Sequence, residues 1–222
     1  MIPRYRVAAL GFSLLLALVG SPAAFADSIY DVTIGTSSLA GSGATLAFDL
    51  TSGGSMANTA SISSFSSDAL LGSNGPNSGS ATGALPGVVS LDTKTYFFNE
   101  YLQGLTLGNS MSFQLDVTTN APTGGALPDT LAFFILDPTA SYSLPTTSDP
   151  TGANSLFTLQ IDGSPSGVVG NYGGTPSGVD VTLTSVSVPE PGTLGLMAIG
   201  LLGAIGIALR RNRGSSTLHR GV

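Results

Sequence analysis

The sequence predicts an all-β protein: an antiparallel two-sheet sandwich, with a jelly roll as one way of closing it. A cleaved signal peptide and one C-terminal transmembrane helix frame this body. Three observations carry the fold class. Apolar residues alternate with polar ones at period two over short runs, with no amphipathic helical period between residues 27 and 188. Glycine-, proline- and aspartate-rich turn pairs separate those runs. Charged residues make up only 9% of the chain against 42% apolar ones, enough to close a core without disulfides, since cysteine is absent.

In chain order, Tyr30, Val32 and Ile34 fall on one face of a first strand, and Leu46, Phe48 and Leu50 on one face of a second. Ala60 and Ile62 mark a weaker strand, and Val88 to Leu91 another. Tyr96 to Phe98 and Leu131 to Leu136 are apolar at consecutive positions and read as central strands packed on both faces. A short helix or turn is expected around Asn99 to Gln103. Phe113, Leu115 and Val117 alternate again, as do Phe157, Leu159 and Ile161, and Val179, Val181 and Leu183 close the body. The turns are Gly53-Gly54, Asn74-Gly75-Pro76-Asn77, Pro86-Gly87, Gly124-Gly125, Asp137-Pro138, Asp162-Gly163 and Gly173-Gly174. Eight or nine short strands so punctuated fit a sandwich whose serines and threonines face water.

The formal charge of −6 is segregated by sign. Arg4 and Arg6 lie at one end and Arg210, Arg211, Arg213 and Arg220 at the other. Between residues 27 and 188, eleven aspartates and Glu100 face a single base, Lys94, for a net −11. So acidic a body repels nucleic acid, which excludes a DNA- or RNA-binding role.

The first 26 residues read as a secretory signal peptide. Arg4 and Arg6 form its charged region, Val7 to Val19 its thirteen-residue apolar stretch, and Ala24-Phe25-Ala26 its small-residue cleavage site. Signal peptidase is expected to cut after Ala26 and leave Asp27 as the new N-terminus. At the other end, Thr193 to Leu209 is a seventeen-residue run without charge, followed at once by Arg210, Arg211 and Arg213. The bases hold that end in the cytoplasm and leave the body outside. Ahead of the span, the prolines of Val188-Pro189-Glu190-Pro191-Gly192 disfavour helix and keep the segment extended. On the residues alone, that segment reads equally as a transpeptidase substrate and as a simple stalk.

Pro189-Glu190-Pro191, the apolar run and the arginine cluster together resemble the PEP-CTERM sorting signal of Gram-negative bacteria, over Val188 to Arg213. The resemblance implies recognition by a membrane-embedded exosortase and removal of the helix. It also implies an inner-membrane-anchored precursor whose body then reaches the cell surface or extracellular matrix. Nine residues, 214–222, follow as a cytoplasmic tail. Phe97-Phe98-Asn99-Glu100-Tyr101-Leu102-Gln103-Gly104 resembles a recurring segment of an uncharacterised group of PEP-CTERM-anchored proteins, a group that lends no activity. The layout is therefore 1–26 signal peptide, 27–187 extracellular sandwich, 188–213 sorting signal with its helix at 193–209, and 214–222 tail.

Between the tags there is no cysteine, histidine, arginine or tryptophan; the single histidine is His219. Nucleophile–histidine systems and zinc, copper or haem sites lack their side chains there. No phosphate loop is present, and no cofactor is expected. Paired carboxylates for glycan hydrolysis survive as an alternative, with Glu100 beside Tyr101 the one place to look, and Tyr101, Tyr142 and Tyr172 as stacking rings. A structural calcium on aspartates and loop carbonyls is a lesser option, with no Asp-x-Asp-x-Asp loop to hold it. The expected function is thus a non-catalytic surface or matrix protein associated with exopolysaccharide or biofilm. The alternative is a secreted carboxylate-dependent glycan hydrolase.

Overall fold

The computed structural model describes residues 27–186 apart from Ser55 and Thr123, together with Gly200, Gly203 and Ala204, which are helical. The signal peptide, Pro189 to Pro191, nearly all of 193–209, and the arginines at 210, 211 and 213 lie outside the described residues. Among the described residues no helix is long and apolar enough to cross a membrane.

Twelve strands follow in order: β1 (Ser28–Gly35), β2 (Gly43–Thr51), β3 (Thr59–Ser67), β4 (Leu70–Asn74), β5 (Thr82–Gly83) and β6 (Val89–Asp92); then β7 (Phe98–Thr106), β8 (Ser110–Val117), β9 (Asp129–Leu136), β10 (Phe157–Ile161), β11 (Val168–Asn171) and β12 (Asp180–Val186). They form two six-stranded sheets. Sheet A runs β12-β1-β8-β3-β6-β5 and sheet B runs β11-β10-β9-β2-β7-β4. All pairings are antiparallel.

The pairings nest. β1 lies against β8 and β3 against β6 in sheet A, while β2 lies against β7 in sheet B. An eight-strand ribbon folded back on itself and rolled gives this order, so the first eight strands form a jelly roll. The departure is β5, which a complete roll would place beside β4 and which here extends sheet A beyond β6. β9, β10 and β11 then widen sheet B, and β12 covers the free side of β1.

Alternation decides what lies between the sheets. Tyr30, Val32, Ile34, Leu46, Phe48, Leu50, Ala60 and Ile62 are all buried, as are the predicted residues of β8 and β10. Phe113 of sheet A meets Phe48 and Phe133 of sheet B at centroid distances of 5.3 and 5.8 Å, and Phe133 stacks on Phe157 at 5.4 Å. This aromatic cluster pins one sheet to the other.

Three expectations are corrected. Tyr96, Phe97 and Phe98 do not form a two-sided central strand: they are 53%, 70% and 41% exposed, because β7 only begins at Phe98. Asn99 to Gln103 is neither helix nor turn but the middle of β7. Its inward positions are polar, and Asn99, Tyr101 and Gln103 are all buried. Asn99 Oδ1 accepts from the Ser80 amide, Gln103 Nε2 donates to the Gly72 carbonyl, and the Leu85 amide donates to the Tyr101 hydroxyl. The three side chains thus fasten the 72–85 crossing to the core. Finally, β9 is a central strand with one fully buried face, its other face being only half-covered.

Candidate functional site

Carboxylates are the one class of reactive side chain the body has in quantity, and the fold sorts them. Asp129, 2% exposed, accepts from the Gly53 amide at 2.6 Å, from Thr93 Oγ1 at 2.7 Å and from Asn58 Nδ2 at 3.2 Å. It ties three connections together at one end of the sandwich. Gly53 belongs there for space, since any side chain would run into the Leu127 carbonyl. Asp68 accepts from the amides of Asn109 and Ser110, and these bonds hold its carboxyl down at about 2. Asp137, bonded first by the Thr139 hydroxyl and then by the Tyr142 and Ser141 amides, is likewise held at about 2. For Asp149, burial opposes ionisation, yet bonds from Ser155 and Thr151 outweigh it and lower the carboxyl. The Ser164 hydroxyl and amide lower Asp162. Each of these aspartates fixes a turn through backbone amides, as free loop donors require.

Asp49 and Glu100 differ. They sit directly opposite each other on β2 and β7, on the outer face of sheet B. The register row beside them is Leu102, Ala47 and Phe134, and Ala132 is Asp49's other neighbour across β9. In so apolar a setting burial drives the Asp49 carboxyl up to about 7, and the Glu100 charge adds to the rise. Burial raises Glu100 as well. One Asp49 oxygen, Oδ1, is buried without a hydrogen-bond partner. Burial and the neighbouring charge thus hold Asp49 protonated at pH values where an exposed aspartate is fully ionised. The hollow lined by Gly43, Leu70, Leu71, Gly104, Leu105 and Pro138 lies toward the other end of the sheet and includes neither carboxylate.

Of the tyrosines expected as stacking rings, Tyr101 points into the core, on the face of β7 opposite Glu100. Tyr172 pairs its hydroxyl with Thr158 Oγ1 at 3.3 Å, and Tyr142 is 65% exposed. Among the described residues no group of three or more histidine, cysteine, aspartate or glutamate side chains gathers to hold a metal ion. Asp49 went unnoticed as Glu100's partner because the pairing joins positions far apart in sequence.

The outer face of sheet A has another chemistry. Across β12, β1, β8 and β3 the outward positions include Thr182 and Thr184, Asp31 and Thr33, Ser112 and Gln114, and Ser61 and Ser63. Gln114 Nε2 donates to Asp31 Oδ1 at 3.2 Å across the β1–β8 pair.

The last strand pairs with the first, Val186 opposite Ile29, so the chain enters and leaves the sandwich side by side. A two-sheet body with a separate address beyond its last strand is the layout of an exported, tagged protein. Residues 187–212 match the family described as the PEP-CTERM protein-sorting motif. The match covers Pro189, Glu190, Pro191, Arg210 and Arg211, stops one residue short of Arg213, and does not reach into the strands. No curated protein and no solved structure matches the chain. The chain carries the mark of an exosortase substrate, exported and membrane-anchored as a precursor in a Gram-negative cell.

Proposed function

We propose that the body is a non-catalytic domain of the cell surface or extracellular matrix, one that associates with exopolysaccharide in a biofilm. The observation that supports this best is the outer face of sheet A, an array of hydroxyl, amide and carboxylate groups on paired strands. Such a face offers many weak hydrogen bonds at strand spacing, which a repeating polyol matches by multivalency. The commitment of Asp68, Asp129, Asp137, Asp149 and Asp162 to loop amides also favours a structural role for these five of the twelve carboxylates. Signal peptidase and exosortase act before this stage.

The test is retention of the mature protein on cell-free exopolysaccharide, with and without Gln114→Ala and Thr33→Ala. Retention that is lost in the double variant supports the reading, and none in the wild type defeats it.

A second reading rests on the Asp49–Glu100 pair. Two carboxyls in cross-strand register, both raised by burial, are the kind of pair a glycan hydrolase uses as acid and base. Release of reducing ends that disappears in Glu100→Gln would favour this reading over the first.

The sorting step has its own test. Mass analysis of the mature form is expected to find it ending near Pro191, without residues 193–209. Glu190→Ala is expected to accumulate as an uncleaved membrane form. A soluble wild-type protein with an intact C-terminus would overturn processing.

A further inference from the structure

We infer that, while the precursor is anchored, the end of the sandwich next to the tag docks on the membrane interface through its exposed aromatic and apolar residues. This rests on the anchored-precursor reading and goes beyond it. At that end β1 begins and β12 finishes, and the 52–58, 93–97 and 118–128 connections meet there. Those connections and the adjoining strand end carry Met56, Tyr96, Phe97, Phe98 and Leu127, which are 50%, 53%, 70%, 41% and 73% exposed. They sit close together. The Ser52 amide donates to the Phe97 carbonyl at 2.8 Å, Thr51 pairs with Phe98, and Gly53 packs on Leu127. Lys94, the only base of the body, is exposed in the same segment.

Six residues, 187–192, separate the end of β12 from the apolar run at Thr193. Fully extended they reach about 20 Å, less with two prolines among them. That end is therefore held at headgroup distance whether or not it binds. Tyrosine and phenylalanine beside a lysine are side chains that partition there, ring inward and charge among the headgroups. Asp27, Asp92, Asp116 and Asp162 also belong to this end, so the fitting surface is zwitterionic rather than anionic.

The test uses the precursor, purified with its tag intact from a strain without exosortase, in vesicles of phosphatidylethanolamine and phosphatidylcholine. The chain has no cysteine, so Thr95→Cys and Ser42→Cys place an environment-sensitive dye at the tag end and at the opposite end. The expected result is several-fold stronger quenching by spin-labelled lipid at 95 than at 42, with protection from aqueous iodide only at 95. In Phe97→Ser/Leu127→Ser, both changes at exposed sites, that difference should vanish while the protein still floats with the vesicles. Co-flotation with equal iodide access at both positions overturns docking alone. Protection at 95 that appears only when exosortase-containing membranes are added overturns it in favour of a protein partner. Failure to co-float overturns the anchoring and the docking together.

Discussion

The two outer faces of the sandwich are built from the same alternation and end in opposite states. On sheet A, Asp31, Thr33, Thr182 and Thr184 stand exposed to water. On sheet B, Thr45, Ala47 and Leu102 are buried at 6%, 1% and 7%, and Ala132, Phe134 and Leu136 are half-covered. Asp31 on the first face stands in water, whereas burial on the second raises the Asp49 carboxyl. The lesson is that a residue's place in the alternation says only which side of a sheet it takes. The chemistry of that side depends on the neighbours that the strand order supplies.

Breaking the comparison altogether takes a core change. Phe133→Ala removes the ring that joins Phe48, Phe113 and Phe157, and is expected to cost about 3–5 kcal/mol in denaturant unfolding. Both faces should then fail together, since each depends on the same core.

The next effect is confined to sheet B. Asp49 has its folded carboxyl raised from 3.8 to about 7, so the folded state binds the proton more tightly than the unfolded one. Its contribution is fully favourable below pH 4 and is lost as pH rises through 7. Asp49→Asn is expected to stabilise the protein at pH 8, by at most roughly 4 kcal/mol at about 1.4 kcal/mol per unit, and to do little at pH 4. Melting at the two pH values checks it; an equal effect at both would contradict the burial account.

On sheet A the expected change is smaller and of another kind. Gln114→Ala removes an exposed bond to Asp31 and should alter stability by no more than about 0.5 kcal/mol while weakening retention on exopolysaccharide. The smallest effect belongs to neither face. Exposed Asp68 has its carboxyl lowered to about 2 by the Asn109 and Ser110 amides, so its support is present above pH 4 and fades as pH falls toward 2. Asp68→Asn should therefore lower the melting temperature slightly at neutral pH and not at all at pH 2.

Much of this architecture was legible because β1, β2, β8 and β10 show an apolar alternation that nothing interrupts. The strands that escaped reading are β4, β5 and β11: Leu-Leu-Gly-Ser-Asn, Thr-Gly and Val-Val-Gly-Asn are short, glycine-bearing and at sheet edges, where only one neighbour defines them. β7 was misread for a physical reason. It turns asparagine, tyrosine and glutamine inward, to serve the 72–85 crossing, so its alternation has the wrong polarity for a buried strand. Tyr96 to Phe98 was misread for the converse reason: apolar composition does not reveal that a segment hangs beyond its strand. The sorting signal was legible from local sequence. The Asp49–Glu100 pair was not, because only the register of β2 on β7 creates it.

The pairing of Ile29 with Val186 also sets an order in time. A chain exported from its N-terminus delivers β1 first, yet β1 waits for β8 on one side and for β12 on the other. Such distant partners make closure slow compared with hairpin formation. When β12 arrives, the residues behind it are already those of the sorting motif. The tag therefore reaches the membrane as soon as the last strand is available to close the sheet. A body that cannot seat its last strand would leave an open β1 edge beside the motif, so exosortase meets a finished substrate or one visibly unfinished.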